Sequence, residues 1–156
     1  MIRDMIEMEI ELWGRVGHPA LLQRFILRNG REYRPVKTAI ADEPKHCFQN
    51  AAFRSGGDMR YVEGYGLPRS IPLLAHHAWN SPAGIETAID TTWRDPLNCS
   101  YWGVAFPKEI VRRELALNGH FGLLADGGGM LNLRLMLETD PGLAEFMPAG
   151  LACAYG

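Results

Sequence analysis

The sequence predicts an α+β fold in which helices come first, a sheet follows, and helices return at the C-terminal end. Three observations support this prediction. Apolar residues recur at helical spacing before Gly57, extended segments bounded by turn-forming residues lie between positions 59 and 106, and a proline opens a new helical segment. Helices and strands that are segregated along the chain are typical of the α+β class.

Three helices are expected in the first 57 residues. Residues 2–29 carry two amphipathic stripes, and the second stripe stops at Asn29-Gly30. A third helix is expected to begin near Cys47, in the sequence HCFQNAAF, and to close at Gly56-Gly57. The cysteine therefore stands at the N-terminus of a predicted helix.

The middle of the chain predicts strands. Four segments are bounded by Pro, Gly, Asn or Asp and have extended character: 59–66, 73–79, 84–90 and 101–106. The connections between them are short enough for neighbouring strands to run in opposite directions. We therefore expect an antiparallel sheet on which the cysteine-bearing helix packs.

The last third predicts helices again. Pro107 opens the segment 108–118 and Gly119 lies just past its end, which matches the proline-start and glycine-stop asymmetry of helices. Residues 130–137 are apolar and fit either a strand or a helix. Asp140-Pro141 is a suitable start for a last short helix.

Composition places the chain among ordinary globular proteins. It has 156 residues, 47% of them apolar, which predicts a single domain (1–156) with its own core. A net charge of −2 without a basic stripe argues against nucleic acid as the main partner. Acidic residues interrupt the apolar N-terminal stretch, so we expect neither a signal peptide nor a membrane segment. No oligomeric state is predicted.

The three cysteines indicate a cytoplasmic protein with free thiols. Cys47, Cys99 and Cys153 are odd in number and have neither CxxC spacing nor a disulfide framework pattern, which suggests a reducing compartment. Cys99 and Cys153 have no chemistry-bearing neighbours and are expected to be packing or incidental thiols.

The residues that suggest chemistry lie in the middle third. The positive end of a helix dipole favours the thiolate form of a cysteine, which makes Cys47 a possible nucleophile. His77 lies in the second extended segment and Asp90 ends the third, so a base and its orienting acid follow the cysteine along the chain. Their separation of 13 positions fits neighbouring antiparallel strands.

Four short motifs in this order resemble the core of the transglutaminase-like superfamily of papain-like cysteine enzymes. They are CFQNA at 47–51, RYVEGY at 60–65, HAWN at 77–80 and DTTW at 90–93. In these enzymes a cysteine opens a helix, a "Tyr-Val-x-Gly-Tyr" strand follows, a "His-Ala-Trp" strand carries the base, and an "Asp-x-Thr" strand end carries the acid. The resemblance covers residues 45–107.

The resemblance implies a role for each member of the predicted triad. Cys47 is the nucleophile, His77 is the general base, and Asp90 holds the imidazole and stabilises its cation. The backbone N–H of Cys47 and, as a second donor, Tyr33 are expected to form the oxyanion hole. The chain departs from the family at His76, which doubles the histidine, and at Thr91, where proline is common; strand alternation is expected to turn the two histidines to opposite faces.

Four further side chains are expected at a substrate cleft. They are Trp79, Asn80, Trp93 and Trp102. Aromatic residues in strands also serve as ordinary core, so this expectation competes with simple packing.

The predicted function is acyl transfer from an amide or ester through a covalent thioester, without a cofactor. A peptide, a protein side-chain amide or a small amide or ester would be the substrate, and the motif does not distinguish protease, amidase, deamidase and transglutaminase chemistry. One alternative is a non-catalytic binding module on the same fold. A second is a zinc site built from His46, Cys47, His76, His77 and Asp90. Two pairs of these residues are directly adjacent in sequence, and adjacent residues cannot easily both point at one ion, which argues against this site.

Overall fold

The computed structural model describes residues 1–152 and shows a mixed α+β protein with a curled five-stranded sheet. The helices are α1 (Ile2–Arg15), α2 (Leu21–Asn29), α3 (Cys47–Arg54), α4 (Lys108–Asn118), α5 (Leu133–Thr139) and α6 (Ala149–Ala152). The strands are β1 (Arg31–Pro35), β2 (Met59–Pro68), β3 (Ala75–Pro82), β4 (Thr87–Ala88) and β5 (Cys99–Phe106). Two 3₁₀ helices cover Pro96–Asn98 and Pro141–Phe146.

The predicted helices agree with the observed ones. The two stripes of residues 2–29 become α1 and α2, the third helix begins at Cys47, and the proline-started segment becomes α4. The ambiguous segment 130–137 gives helix α5, for which Asn132 caps the N-terminus by accepting a hydrogen bond from the amide of Leu135. The last predicted helix starts at Pro141 as a 3₁₀ helix.

The sheet is mixed, so the prediction of a purely antiparallel sheet is wrong. Its strand order is β3-β2-β5-β1-β4, and β1 pairs antiparallel with β5 but parallel with β4. Strand β1 was not expected because its sequence REYRP is charged and buries only Tyr33 fully. The third predicted segment shortens to the two residues of β4, since Pro82, Gly84 and their neighbours form a turn.

The sheet curls until its two outer strands approach each other. Asn80 of β3 and Ile89, which directly follows β4, exchange two backbone hydrogen bonds of 3.1 and 2.9 Å. This contact brings the segment after β4 beside β3. His77 and Asp90 thus become neighbours through the curl of the sheet, although Asp90 itself lies outside any strand.

Two apolar clusters lie on opposite faces of the sheet. The larger one, the helix-side cluster, packs α1, α2, α3, α4 and α5 against β2 and β5 and includes Phe25, Tyr61 and Met136. The smaller one, the strand cluster, takes at least one residue from every strand: Tyr33, Val62, Trp79, Ala88, Cys99 and Tyr101.

Two glycines make room for large rings on the face of the strand cluster. A Cβ at Gly66 would overlap the Trp93 ring, and a Cβ at Gly103 would approach Trp79 Cη2 to 2.8 Å. Only glycine, which has no Cβ, leaves space for the two rings at these positions. Both glycines therefore specify where the two tryptophans lie.

A fully buried carboxylate ties the C-terminal part of the chain to the sheet. Glu63 of β2 accepts hydrogen bonds from the backbone amides of Leu123 (2.6 Å), Leu124 (3.0 Å) and Ala125 (3.4 Å). It also accepts one from the Tyr61 hydroxyl at 2.6 Å. Burial opposes its ionisation, but these bonds and one to His76 lower the pKa of Glu63.

Within residues 1–152, no helix combines the length and the apolar character that crossing a bilayer requires.

Candidate active site

Cys47 is the first residue of α3 and is buried. The helix starts here because the backbone N–H of Asn50 donates to the His46 carbonyl at 2.8 Å, which is the first hydrogen bond of the helix. The N–H of Cys47 has no acceptor within the helix, as holds for every first helical residue. A thiol and a free amide thus stand together at the positive end of α3.

Two side-chain contacts fix the start of α3 against the turn that carries Asp90. Asn50 donates from its amide group to the Thr92 hydroxyl at 2.9 Å. Thr91 donates to the carboxylate of Asp42, in the loop that leads into α3, at 2.7 Å. The helix that carries the nucleophile and the turn that carries the acid are therefore held to each other.

His77 lies on β3 with 2% of its surface exposed and is hydrogen-bonded to Asp90. Its Nε2 is 2.8 Å from Asp90 Oδ2, and because an ionised carboxylate only accepts, Nε2 carries the proton. This bond leaves Nδ1 of the imidazole for another partner. Cys47 contributes to the raised pKa of His77, which places its thiol close to the imidazole.

Asp90 is held as a carboxylate by three further donors. Its Oδ1 accepts from the backbone amides of Thr92 (2.9 Å) and Trp93 (3.2 Å), and its Oδ2 accepts from the Tyr101 hydroxyl (2.8 Å). Burial opposes the charge, but the bonds from His77 and these donors outweigh it and lower the pKa of Asp90. The acid is thus ionised and fixed in one orientation.

The surroundings of His77 favour its cation. Burial alone would lower the pKa of an imidazole, yet hydrogen bonds and charge interactions with Asp90 and Cys47 raise the pKa of His77 to about 9. The imidazole is therefore protonated at neutral pH. Next to a thiol, this is the charge state that a thiolate–imidazolium pair requires.

Aromatic rings enclose the imidazole. Trp93 stacks on it with 4.0 Å between ring centroids and 18° between planes, and the rings of Trp79 and Tyr101 lie at 6.2 and 6.3 Å. Trp93 is half-buried and covers His77 from the side of Gly66. The aromatic faces stabilise a cation and keep water from the bond to Asp90.

His76 points to the other face of β3, as strand alternation predicts. Its Nε2 is 2.9 Å from Glu63 Oε1, and its ring lies 4.9 Å from that of Phe48 and 6.1 Å from that of Tyr65. His76 therefore belongs to the network of Glu63 and does not compete with His77 for Asp90.

The other predicted site residues are placed as follows. Tyr33 and Trp79 pack edge to face in the strand cluster, 5.6 Å apart, and burial raises the pKa of the Tyr33 phenol. Asn80 is buried and donates to the backbone carbonyls of Ala51 and of β2, so its amide is committed to the fold. Trp102 lies on the helix side, where Nε1 donates to the Ile26 carbonyl.

Of the four residues expected at a cleft, Trp93 is the one placed against the triad with part of its surface exposed. Trp79 is fully buried, and its Nε1 is the single buried side-chain polar atom within residues 1–152 that has no hydrogen-bond partner. This indole N–H is a donor that the fold itself does not use. The oxyanion role expected for Tyr33 stays a prediction.

Three residues of the site were not expected from the sequence. Tyr101 binds Asp90, while Asn50 and Thr92 bind each other. Strand alternation could have found Tyr101. In the run CSYWGVAF every second residue lies on the same face, so Tyr101 shares its face with Gly103 and Ala105, and Val104 lies on the other. The Asn50–Thr92 bond has no local signal, since the two residues are 42 positions apart.

Two cavities are lined by residues next to Cys47 or His77, although neither is lined by a predicted triad residue itself. One of about 230 Å³ is lined by His46, Phe48, Gln49 and Phe121, so it touches both sequence neighbours of Cys47. The other, of about 200 Å³, is lined by Pro68, Ser70, Trp93, Asp95, Asn98 and Cys99. Each is large enough for one side chain of a substrate.

The histidines and thiols are not arranged as a metal site. Within residues 1–152, no three His, Cys, Asp or Glu side chains are grouped so that they could share an ion. His76 and His77 are directed to different carboxylates. Cys99 donates to the Asp95 carbonyl, and burial raises the pKa of its thiol to about 11; Cys153 lies outside the described residues.

No protein-family model, no curated protein and no solved structure matches this chain.

Proposed function

We propose that the protein is a cysteine-dependent acyl-transfer enzyme with Cys47 as nucleophile, His77 as base and acid, and Asp90 as the orienting group. One observation carries the proposal: the buried imidazole of His77 is hydrogen-bonded to the carboxylate of Asp90 at 2.8 Å and lies close enough to the thiol at the start of α3 for that thiol to help raise its pKa. A nucleophile, a base and an orienting acid in this order form the generalised triad.

In the first half-reaction, the Cys47 thiolate attacks the carbonyl carbon of an amide or ester. The carbonyl π electrons move to oxygen, and the free N–H of Cys47 donates to the resulting oxyanion. The tetrahedral intermediate collapses, the bond to the leaving group breaks, and the His77 imidazolium gives its proton to the departing amine or alcohol. A thioester between Cys47 and the acyl group remains.

In the second half-reaction, water or an amine attacks the thioester. Neutral His77 takes the proton of the attacking group, the C–S bond breaks, and the acyl group leaves as an acid or a new amide. The thiol and imidazole then return to the starting ion pair. Asp90 stays ionised throughout and stabilises the His77 cation whenever it forms.

The arrangement of elements supports a core similar to the transglutaminase-like and papain-like enzymes. The chain order is a cysteine-opened helix (α3), the strand with YVEGY (β2), the strand with HAW (β3) and the acid after β4. The acid and the base sit beside each other through the Asn80–Ile89 contact. We propose this core on the combination of motif order and geometry.

The substrate class that fits is a peptide, a protein side-chain amide or a small amide or ester. The two cavities beside the triad would each accept one group of such a substrate. Phe48 and Phe121 line one of them, which favours an apolar or aromatic group next to the scissile bond.

The test is the rate of alkylation of each cysteine by iodoacetamide between pH 5 and 9, read by peptide mass mapping. We expect Cys47 to react selectively at pH 6, because an imidazolium beside a thiol favours the thiolate form, and Cys99 to stay slow as an internal control. His77→Ala is expected to lower the pH 6 rate of Cys47 by at least tenfold, and Cys47→Ala to remove the product peptide.

The outcome that would overturn the proposal is a Cys47 rate in the folded protein that follows free cysteine at every pH, or that His77→Ala leaves unchanged. The domain would then be a binding module with an idle triad. Circular dichroism of each variant verifies that the fold is retained.

A further inference from the structure

A cavity of about 440 Å³ lies at the end of the sheet where β2 begins, β3 has just ended and α4 begins. The size is in the range of small-molecule sites, which span about 300–1,000 Å³. It is lined by Gly56, Gly57, Met59, Arg60, Ala83, Pro107, Lys108, Glu109 and Arg112.

Three cations line this cavity, and no ion pair with an acid is formed by any of them within residues 1–152. They are Arg60, Lys108 and Arg112, and the one acid in the lining is Glu109. Six arginines elsewhere each have a carboxylate within ion-pair distance: Arg3, Arg28, Arg31, Arg54, Arg113 and Arg134. The cavity therefore brings three unpaired cations together in a chain whose net charge is −2.

Such a cluster favours the binding of an anion. Like charges in one concavity repel each other, and low-dielectric walls strengthen the field that they create. The chain has more acidic than basic residues, yet Glu109 is the one carboxylate among the lining residues that could neutralise these three cations. The excess positive charge is matched best by a ligand with a charge near −2.

The backbone beside the cations allows close approach. The Lys108 ammonium lies 2.8 Å from the position that a Cβ on Gly56 would take, so the absence of a side chain at Gly56 lets the lysine reach across the cavity. Gly56 and Gly57 have φ values of 144° and 57°, which glycine adopts without strain. The two glycines thus shape the wall around Lys108.

We propose that this cavity binds the phosphate group of a small phosphorylated molecule. Guanidinium groups match phosphate oxygens in bidentate fashion, and the lysine adds a point charge. A phosphate fills only part of about 440 Å³, which leaves room for the organic portion of the ligand. Seven helical steps separate Cys47 from Arg54 at the end of α3, about 10 Å at about 1.5 Å per residue, and Gly56 lies beyond it, so this site is distinct from the triad.

Isothermal titration with inorganic pyrophosphate at low salt tests the proposal. We expect wild-type protein to bind, the double variant Arg60→Gln/Arg112→Gln to bind at least tenfold more weakly, and Glu109→Gln to bind more tightly. Arg15→Gln is the matched control, because Arg15 is exposed and lies outside the cavity. Chloride at equal ionic strength controls for general screening.

Equal affinity in wild type, the double variant and Arg15→Gln would overturn the proposal, as would the absence of binding by wild type at millimolar pyrophosphate. A second arm uses vesicles that contain phosphatidic acid, which presents the same headgroup chemistry. Vesicle binding without binding of free pyrophosphate would assign the site to a lipid surface and overturn the small-molecule assignment. The Cys47 alkylation rate is expected to be the same in all these variants, which separates this test from that of the triad.

Discussion

Two adjacent histidines of β3 each pair with a buried carboxylate, on opposite faces of the same strand. His77 pairs with Asp90 at 2.8 Å and His76 with Glu63 at 2.9 Å. The first pair lies next to the Cys47 thiol under an aromatic ring, and the second lies next to three backbone amides. The same two residue types therefore give a candidate catalytic pair on one face and a structural junction on the other.

The difference lies in what else each carboxylate binds. Asp90 takes its remaining bonds from close neighbours in sequence and from Tyr101, and leaves His77 free to interact with a thiol. Glu63 is saturated by Tyr61 and by amides of residues 123–125. A carboxylate–histidine pair becomes a candidate for catalysis when a nucleophile lies beside the histidine as well.

The largest expected effect is on stability, and it comes from the buried carboxylate of Glu63. Glu63→Gln places an amide group among donors and removes the charge that three backbone N–H groups solvate, so we expect the free energy of unfolding to fall by about 3–5 kcal/mol. Urea unfolding followed by circular dichroism measures it. Glu11→Gln, at an exposed position, is the control, and a loss below about 1 kcal/mol for Glu63→Gln would contradict the role of this junction.

The pair of His77 and Asp90 is expected to show in the pH dependence of stability. The pKa of His77 rises from 6.5 to about 9 on folding. The contribution of His77 to the free energy of unfolding is therefore complete below pH 6.5 and is lost as the pH rises towards 9. The pKa of Asp90 is lowered, so its contribution is present above pH 4 and is lost on acidification. The span of the His77 shift corresponds to about 3 kcal/mol.

We therefore expect maximal stability between about pH 4 and 6.5 and a decline from pH 6.5 to 9. His77→Gln is expected to flatten that decline, which unfolding curves at several pH values measure. His76→Gln serves as the matched variant on the other face. An unchanged slope in His77→Gln would show that His77 is not the group that titrates.

A third variant acts on the aromatic cover of His77. Gly66→Ala forces the Trp93 ring away from the imidazole because a Cβ has no space there, and we expect a loss of about 1–3 kcal/mol together with a change in tryptophan fluorescence. Gly127→Ala is the control, since a Cβ at Gly127 meets open space. Equal stability of the two variants would argue against close contact between Trp93 and β2.

The smallest expected effect is that of His76→Gln. Glu63 keeps its four other donors, and His76 is partly exposed, so we expect a loss of about 1 kcal/mol. The iodoacetamide rate of Cys47 is expected to match the wild type. A tenfold lower rate in this variant would make His76, and not His77, the partner of the thiol.

The helices and the contact between His77 and Asp90 could be predicted from the sequence because their signals are local. The helical stripes, the proline before α4 and the spacing of Cys47, His77 and Asp90 all lie within short windows. Strand β1 could not be predicted, since its charged sequence becomes a strand only when β4 and β5 offer it partners on both sides.

The networks around the two carboxylates were beyond sequence reasoning for the same reason. The motif YVEGY marks a strand, but nothing in it shows that Glu63 faces the backbone of residues 123–125. The Asn50–Thr92 bond likewise depends on how α3 crosses the sheet. Trp102 was expected near the substrate because it is aromatic, whereas its register on β5 turns it to the helix side.

The junction at Glu63 also bears on when the protein folds during its synthesis. The amides that bind Glu63 come 60 to 62 residues later in the chain, which corresponds to about 3–12 s at about 5–20 residues per second on the ribosome. Until then, β2 would have to bury a carboxylate without its main partners, which is costly. The surroundings of Asp90, in contrast, are complete once Tyr101 has been made. We therefore expect the sheet of the nascent chain to remain incompletely packed until the segment after α4 has left the exit tunnel.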